Sequence, residues 1–490
     1  LTYNKLISIC NPTDISGTPP PTLGRLVQDS RKLGHGDVFI AVPGIRNDGH
    51  NFIPDAIEKG ASVVISEKPY AASNGTQILK VNDTRSLLGP LAQAFMGNPA
   101  DQMKIIGITG TNGKTTVATL CYQLFQQLGV KAGLLGTVNK RIGDDIIQSS
   151  MTTADPIEIA RDMKTMVQNG VTHLAMEVSS HALDQLRTRG LSFDTAVFTN
   201  LSHDHLDYHE NFEDYAHSKK RLFNSLTKDA SAVVNADDKQ AEFMIEDCSA
   251  KKIRFSFEQP SDIECQISRN STDGLVLNIG NHRIESPLMG IFNAYNVVES
   301  FLICRELGFE PSKIISALNS TTGAEGRLEK VTTSSSNEPL VLVDYAHTPD
   351  ALKNVLKTMA ELKTEQQSLH AVFGCGGDRD RTKRPEMAAI AERYADLITV
   401  TSDNPRSEDP EAIIDDIMPG FEHQSDVYCI TDRKEAITQT IQQASKQTLI
   451  LIAGKGHETY QEVEGKRIDF DDRKIARHAL ANRTSKARRT

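Results

Sequence analysis

The tightest constraint on this chain is the stretch MKIIGITGTNGKTTVATLCYQLFQQLG, residues 103 to 129. Ile105, Ile106 and Ile108 read as a buried strand, the glycines as a turn, and the residues from Lys114 onward as an amphipathic helix. That order gathers backbone N–H groups and a helix N-terminus around one point, which favours a bound phosphate. Lys114 can neutralise the β- and γ-phosphates, and the Thr115 hydroxyl can sit on the accompanying Mg²⁺. The strict spacing G-x-x-x-x-G-K-[ST] is not met, because Ile108 stands where its first glycine belongs. A merely structural glycine turn is the competing reading. GKTT between a strand and a helix favours a nucleoside triphosphate, with Gly110, Thr111, Asn112, Gly113, Lys114, Thr115 and Thr116 as its cradle.

A chain of 490 residues is too long for one core. The pattern divides into segments 1–99, 100–327 and 328–490. The first carries short apolar strands (GDVFIAVPG, ASVVISEK) around the helical IPDAIEKG. The second alternates strands (172–178, 193–199, 231–235) with helices, implying a parallel sheet, and residues 253 to 287 read as added antiparallel strands. The third repeats the α/β rhythm as a doubly wound sheet whose ligands should gather at the strands' carboxyl ends. The polar runs Asp344–His347, Gly374–Arg379, Asp403–Arg406 and Gly454–Glu458 fall there. The expected class is therefore α/β throughout. A net charge of −10 argues against a general nucleic-acid binder. The basic tail, with Arg483, Lys486, Arg488 and Arg489, reads as a solvated, frayed end. Seven scattered cysteines without a C-x-x-C pair point to a reducing compartment. No apolar run approaches the roughly 18 residues a bilayer span needs, and the first residues show no signal pattern, so a cytoplasmic protein without membrane insertion is expected. No long exposed apolar face stands out, so a monomer is expected.

Three clusters could carry chemistry. Glu177 ends one strand and His205 follows the next. With Thr115 they would make an oxygen-rich Mg²⁺ environment containing one nitrogen donor. His203, Asp204, His205, Asp207 and His209 nearly match a dizinc hydrolase pattern, but Tyr208 occupies the position of its last histidine. Ser179-Ser180-His181 lacks a nucleophile elbow and suits hydrogen bonding to substrate or backbone instead. Lys219 stands beside Lys220 and Arg221, where a solvated basic face is the default reading. In the third segment Arg379, Arg381, Lys383 and Arg384 suit carboxylate or phosphate recognition. In DNPR, Pro405 stiffens a turn from which Asp403 and Asn404 can accept from an ammonium while Arg406 forks onto a carboxylate.

These residues, with MTTADP, MEVSSHALDQLR, TNLSHDHLDYH, GIFNAYN, GRLE, DYAHTPD, GCGGDRD, DNPR and AGKGHE in order, resemble the Mur ligases of peptidoglycan synthesis over essentially the whole chain. The family's ATP loop shares the departure at Ile108. The resemblance implies an ATP-dependent amide ligase adding meso-2,6-diaminopimelate to the D-Glu γ-carboxylate of UDP-N-acetylmuramoyl-L-alanyl-D-glutamate. It implies that Ser30 and the loop from Gly44 to Gly49 hold the uridine diphosphate sugar. Thr152, Thr153, Ser179, Gln185 and Arg187 would hold the muramoyl-dipeptide. Thr115 and Glu177 would hold one Mg²⁺, and His205 with a CO₂-carbamylated Lys219 a second. Asn293, Arg327, Asp344 and His347 would contact the nucleotide. Arg379, Asp403, Asn404, Pro405, Arg406, Gly454 and Glu458 would form the diaminopimelate site. An L-lysine-adding ligase of the same family is the near alternative, and a nucleotide-switched binding module without turnover is the alternative from another class.

Overall fold

A computed structural model of the chain describes residues 1–44, 47–202, 208–332 and 338–487. They fall into two compact units: Leu1–Gln266 with Asn278–Arg283 and Tyr295–Leu318, and Ile267–Leu277 with Ile284–Ala294 and Asn319–Thr490.

The first unit holds a five-stranded sheet in the order Asp14–Ser16, Gln77–Lys80, Val63–Ser66, Val38–Ile40, Leu26–Val27. Only its Asp14–Ser16 edge is antiparallel. VFI and VVIS are buried at every residue, as strands covered on both faces must be. Its larger sheet has a parallel core in the order Lys251–Ser256, Ser231–Asn235, Thr195–Phe198, Lys104–Thr109, His173–Glu177, Ala132–Leu135. Ile105, Ile106 and Ile108 are wholly buried in its middle, each contributing about 1.5–3 kcal/mol of transfer free energy. The hairpin Asn139–Ile142/Asp145–Gln148 adds antiparallel strands at one edge.

The sequence expectation of antiparallel strands from residue 253 is corrected at its start. Lys251–Ser256 pairs in parallel with Ser231–Asn235 and with the beginning of Ile263–Ser271. The helix Ala241–Ile245 lies in the connection, and a helical crossover returns the chain in the same direction. Of the basic tail, Arg483 is not frayed: it lies on helix Asp472–Ala487 and donates to the carbonyls of Ile441 and Gln442 at the end of helix Arg433–Gln443, where a cation is favourable to the dipole, while Arg488 and Arg489 lie outside the described residues.

The second unit is built on six strands in the order Glu329–Val331, Leu340–Asp344, Thr448–Ala453, Ser368–Phe373, Leu397–Val400, Val427–Cys429. All but the first pair are parallel. The carboxyl ends of four neighbouring strands therefore deliver Asp344, Gly374, Thr401 and Gly454 to one edge. Among the described residues no helix is long and apolar enough to cross a membrane. Six of the cysteines are buried free thiols and Cys429 is an exposed one.

Candidate active site

The parallel register aligns Glu177 with Ile108 and Phe198 with Thr109, so three strands of the first unit end level with the glycine turn. Gly110 and Gly113 have φ of 150° and 88°. A Cβ on Gly110 would lie 1.9 Å from Thr199 Oγ1, and one on Gly113 2.6 Å from Asn296 Oδ1, so the turn cannot take side chains there. The loop is pinned from behind. Thr111 N–H donates to Asn200 O at 2.8 Å, Asn112 N–H to Asn200 Oδ1 at 3.0 Å, and Thr199 Oγ1 to Asn112 O at 2.6 Å. Lys114 Nζ folds back to donate to Gly110 O at 2.8 Å and Thr111 O at 2.7 Å. Thr115 and Thr116 begin the helix Lys114–Gln127 and are buried.

Glu177 is buried and fully engaged. Thr115 Oγ1 and Thr137 Oγ1 each donate to its Oε2 at 2.9 Å, and Thr137 N–H donates to Oε1 at 2.7 Å. Hard oxygen donors suit Mg²⁺, and neighbouring ligands of an octahedral ion with bonds of about 2.0–2.1 Å lie about 2.9 Å apart. The 2.9 Å separation of Thr115 Oγ1 and Glu177 Oε2 matches that spacing. Thr137 escaped sequence reasoning; its one signal is its place just past the strand Ala132–Leu135.

Lys219 is the residue for which the structure most changes the reading. It lies on helix Phe212–Asn224, is 1 % exposed, and donates from Nζ to Gly110 O at 2.8 Å, with Nζ 4.6 Å from the Tyr215 ring centroid. Lys220 instead pairs with Glu246 and Asp247, and Arg221 with Asp184. The expected solvated basic face is therefore wrong, because the inward side of the helix turns Lys219 towards the phosphate loop. His205, with His203, Asp204 and Asp207, lies outside the described residues. His209 is buried, with Nδ1 3.1 Å from Asp214.

The MTTADP turn and the SSHALDQLR helix come together. Thr153 Oγ1 donates to Glu177 O at 2.9 Å and accepts from Ser179 N–H at 3.1 Å, and Thr137 Oγ1 reaches Thr152 Oγ1 at 3.1 Å. Arg187 donates to Thr153 O at 2.7 Å and grips Gln185 Oε1 with two donors, while Gln185 Nε2 donates to Tyr208 at 3.1 Å. Ser179 caps helix Ser180–Asp184 through Ala182 N–H, a backbone role rather than a nucleophilic one. In the smaller sheet's region Ser30 is buried and its carbonyl accepts from Lys59 Nζ at 2.9 Å. Gly44 and Gly49 close a tight loop through Gly44 N–H to Asn47 O and Gly49 N–H to Val42 O; residues 45 and 46 lie outside the described residues.

In the second unit Asp344 is anchored by Leu328 N–H at 2.6 Å and Ala346 N–H at 2.8 Å. Burial pushes its carboxyl up from the ordinary range, against Arg327 and these two N–H groups. Arg327 lies over the Tyr345 ring at 4.8 Å, and that ring packs 4.5 Å from His347 and 4.9 Å from His457. Asn293 is buried and donates from Nδ2 to Met289 O at 2.8 Å.

The DNPR turn meets the AGKGHE turn. Asp403 is 6 % exposed, yet its carboxylate takes no hydrogen bond among the described residues, and a Cβ on Gly454 would fall 2.2 Å from its Oδ2. Beneath it Arg433 and Asp472 form a wholly buried two-point pair at 2.9 and 2.7 Å, with Arg433 also donating to Ala453 O and Ser402 O. Asn404 differs from expectation. Its Oδ1 already accepts from Lys455 Nζ and Glu462 N–H, both at 2.9 Å, so it has no capacity left for an ammonium. Pro405 starts a turn closed by Glu408 N–H, and Arg406 (φ 54°) donates from Nη1 to Gly377 O. Arg379 is exposed and, among the described residues, makes no hydrogen bond or ion pair. A Cβ on Gly376 would touch Arg406 Nη1 at 2.9 Å and Arg379 Cγ at 3.9 Å, so both arginines flank that glycine.

A glycine turn opening a helix, with Thr115 and Glu177 beside it, is the phosphate-binding arrangement of a nucleotide-binding α/β protein. The chain belongs to the Mur ligase family. The Mur ligase family catalytic domain matches residues 25–96, the Mur ligase middle domain 108–304, and the Mur ligase glutamate ligase domain 326–456. Two relatives named UDP-N-acetylmuramoyl-L-alanyl-D-glutamate–2,6-diaminopimelate ligase are similar throughout. That of Cytophaga hutchinsonii is 42 % identical, covering 97 % of each chain. That of Phocaeicola vulgatus is 39 % identical, covering 98 % of this chain and 99 % of its own. A solved structure of an enzyme of the same name is 35 % identical with a TM-score of 0.70, covering 94 % of this chain and 95 % of its own. Members of this family are ATP-dependent ligases, and this chain is one.

Proposed function

We propose that the chain joins meso-2,6-diaminopimelate to the D-Glu γ-carboxylate of UDP-N-acetylmuramoyl-L-alanyl-D-glutamate, with conversion of ATP to ADP and phosphate, in the cytoplasm. The near-full-length likeness to ligases of that name supports the substrates. The γ-carboxylate attacks the ATP γ-phosphoryl group in line, giving an acyl phosphate and ADP. The amine of diaminopimelate then adds to the acyl carbon, and the tetrahedral adduct expels phosphate to leave the amide.

Gly110–Thr116 cradle the triphosphate in this reading, and Lys114 exchanges its two loop carbonyls for phosphate oxygens. Thr115 and Glu177 hold Mg²⁺, which when bound neutralises charge on the transferring phosphoryl group. Lys219 and His205 serve a second Mg²⁺. The Lys219 ammonium first loses a proton, and the free amine then takes up CO₂ as a carbamate with release of a second, converting a cation into a carboxylate-like ligand. Asn293, Arg327, Asp344 and His347 serve the nucleotide. Ser30 and the Gly44–Gly49 loop bind the uridine diphosphate sugar, and Thr152, Thr153, Ser179, Gln185 and Arg187 the muramoyl-dipeptide.

The observation that carries the amine assignment is the buried, unfilled carboxylate of Asp403. Together with Glu458 it offers acceptors to an ammonium, while Arg379 and Arg406 offer donors to carboxylates. The decisive assay supplies ATP, UDP-muramoyl-dipeptide and either diaminopimelate or L-lysine. Tripeptide formed with diaminopimelate and at least tenfold less with lysine is expected. Equal use of lysine would reassign the amine, and nucleotide binding without any phosphate release would leave a binding module.

A further inference from the structure

Lys455 has no part in the assignment above, yet it is the most completely buried ammonium of the second unit's strand edge, with no exposed side-chain surface. Its Nζ donates to Asn404 Oδ1 at 2.9 Å and to Glu458 Oε2 at 3.0 Å. Asn404 Nδ2 closes the triangle by donating to the same Glu458 oxygen at 2.9 Å. The Tyr460 ring centroid lies 5.4 Å from Nζ. A buried charge held this way fixes its partners, because none can turn without stranding it.

The donors then decide what the pocket can read. Asn404 Oδ1 has both lone-pair positions filled, by Lys455 and by Glu462 N–H. Its Nδ2 spends one hydrogen on Glu458 and keeps one. Asn404 therefore faces a ligand as a donor, whereas Asp403, whose carboxylate takes no hydrogen bond among the described residues although its carbonyl accepts from Gln461 Nε2, faces it as an acceptor. Glu458 likewise keeps Oε1 unspent.

We infer that Lys455 is a positioning residue for the amine substrate: it locks Asn404 as a hydrogen-bond donor to a substrate carboxylate and leaves the ammonium to Asp403 and Glu458. This rests on the proposed diaminopimelate ligase activity. It goes beyond that reading by reversing the role expected of Asn404 and by giving Lys455 control of it.

The test uses the full chain and steady-state kinetics with each substrate varied. Lys455→Met keeps the stem and removes the donor. It should raise the KM for diaminopimelate at least tenfold while the KM values for ATP and UDP-muramoyl-dipeptide stay within twofold. Lys455→Arg should recover part of that loss. Asn404→Asp is the discriminating variant, since it keeps an acceptor for Lys455 and Glu462 N–H but loses both Nδ2 hydrogens, the one held by Glu458 and the one left for the ligand. It should raise the diaminopimelate KM at least tenfold with the same selectivity. An unchanged or lower KM for Asn404→Asp would show that the residue accepts from the ammonium and overturn the inference, as would equal KM increases for all three substrates in both variants. If Lys455→Met does not fold, Asn404→Asp and the Arg variant still decide. Failure of the wild-type chain to use diaminopimelate at all would instead overturn the proposed function, and so the two failures are distinguishable.

Discussion

Replacing Asp472 with Asn should destabilise the second unit far more than any surface change. Arg433 and Asp472 are both wholly buried and joined by two hydrogen bonds, at 2.9 and 2.7 Å. Asp472 is the one carboxylate hydrogen-bonded to this guanidinium among the described residues. Desolvation lowers the Arg433 pKa, and Asp472, with smaller contributions from Asp403 and Glu458, raises it by more. Removing one partner of such a pair leaves a buried, uncompensated charge, at a cost of about 3–5 kcal/mol. For a unit in the range of 150–250 residues that corresponds to a melting temperature lower by roughly 6–20 °C. The chain has no tryptophan, so unfolding is best followed by far-ultraviolet circular dichroism, with hydrogen exchange to localise the loss. Exchange should accelerate in Ser402–Asp403 and Ala453–Gly454 first, because Arg433 also donates to Ser402 O and Ala453 O. The double variant Arg433→Met with Asp472→Leu should lose less than Asp472→Asn alone, although two carbonyls lose a donor at about 1 kcal/mol or more each. A destabilisation below about 1 kcal/mol for Asp472→Asn, or a double variant worse than the single, would refute the reasoning.

Three further outcomes are expected. Glu177→Gln keeps an amide oxygen for the two threonine hydroxyls but turns its NH₂ against Thr137 N–H, a cost of about 1–3 kcal/mol that the fold should survive; it should lower kcat at least a hundredfold and weaken the Mg²⁺ dependence, and unaltered turnover at limiting Mg²⁺ would count against Glu177 as a ligand. Activity measured in CO₂-depleted buffer should fall and return on adding bicarbonate, and Lys219→Met should abolish that response along with most activity. Burial pushes the His457 imidazole down to about 4 from 6.5. A base with a depressed folded pKa binds fewer protons folded than unfolded, so stability should rise with pH between about 4 and 6.5. His457→Gln should flatten that part of a urea-midpoint titration, and an unchanged slope would remove His457 as its cause.

The phosphate loop was legible because its glycines, Lys114 and Thr115 are adjacent in the chain and each acts through local backbone geometry. Glu177 was legible because strand ends in a parallel sheet share an edge. Lys219 was named by the resemblance alone, since KKR by itself does not say which side of the helix faces Gly110; the packed helix supplies the physical reason, turning Lys219 inward and leaving Lys220 to its ion pairs. The direction of Asn404's amide was also hidden. It depends on Lys455 and on Glu462 N–H, which lie 51 and 58 residues away. Thr137 and the Arg433–Asp472 pair share that non-local origin, and no spacing rule announces them. The parallel pairing of Lys251–Ser256 was missed because a five-residue crossover helix, Ala241–Ile245, leaves little periodicity to read.

The carbonyl of Gly110 accepts from both Lys114 and Lys219, at 2.8 Å in each case. One oxygen is thus the common anchor of the lysine that meets the triphosphate and the lysine that takes up CO₂ in the proposed cycle. When either ammonium leaves for its own ligand, the other gains undivided hold of that oxygen. Nucleotide affinity and CO₂ affinity are then coupled through one shared acceptor, and by thermodynamic reciprocity each ligand should shift the binding of the other by the same factor.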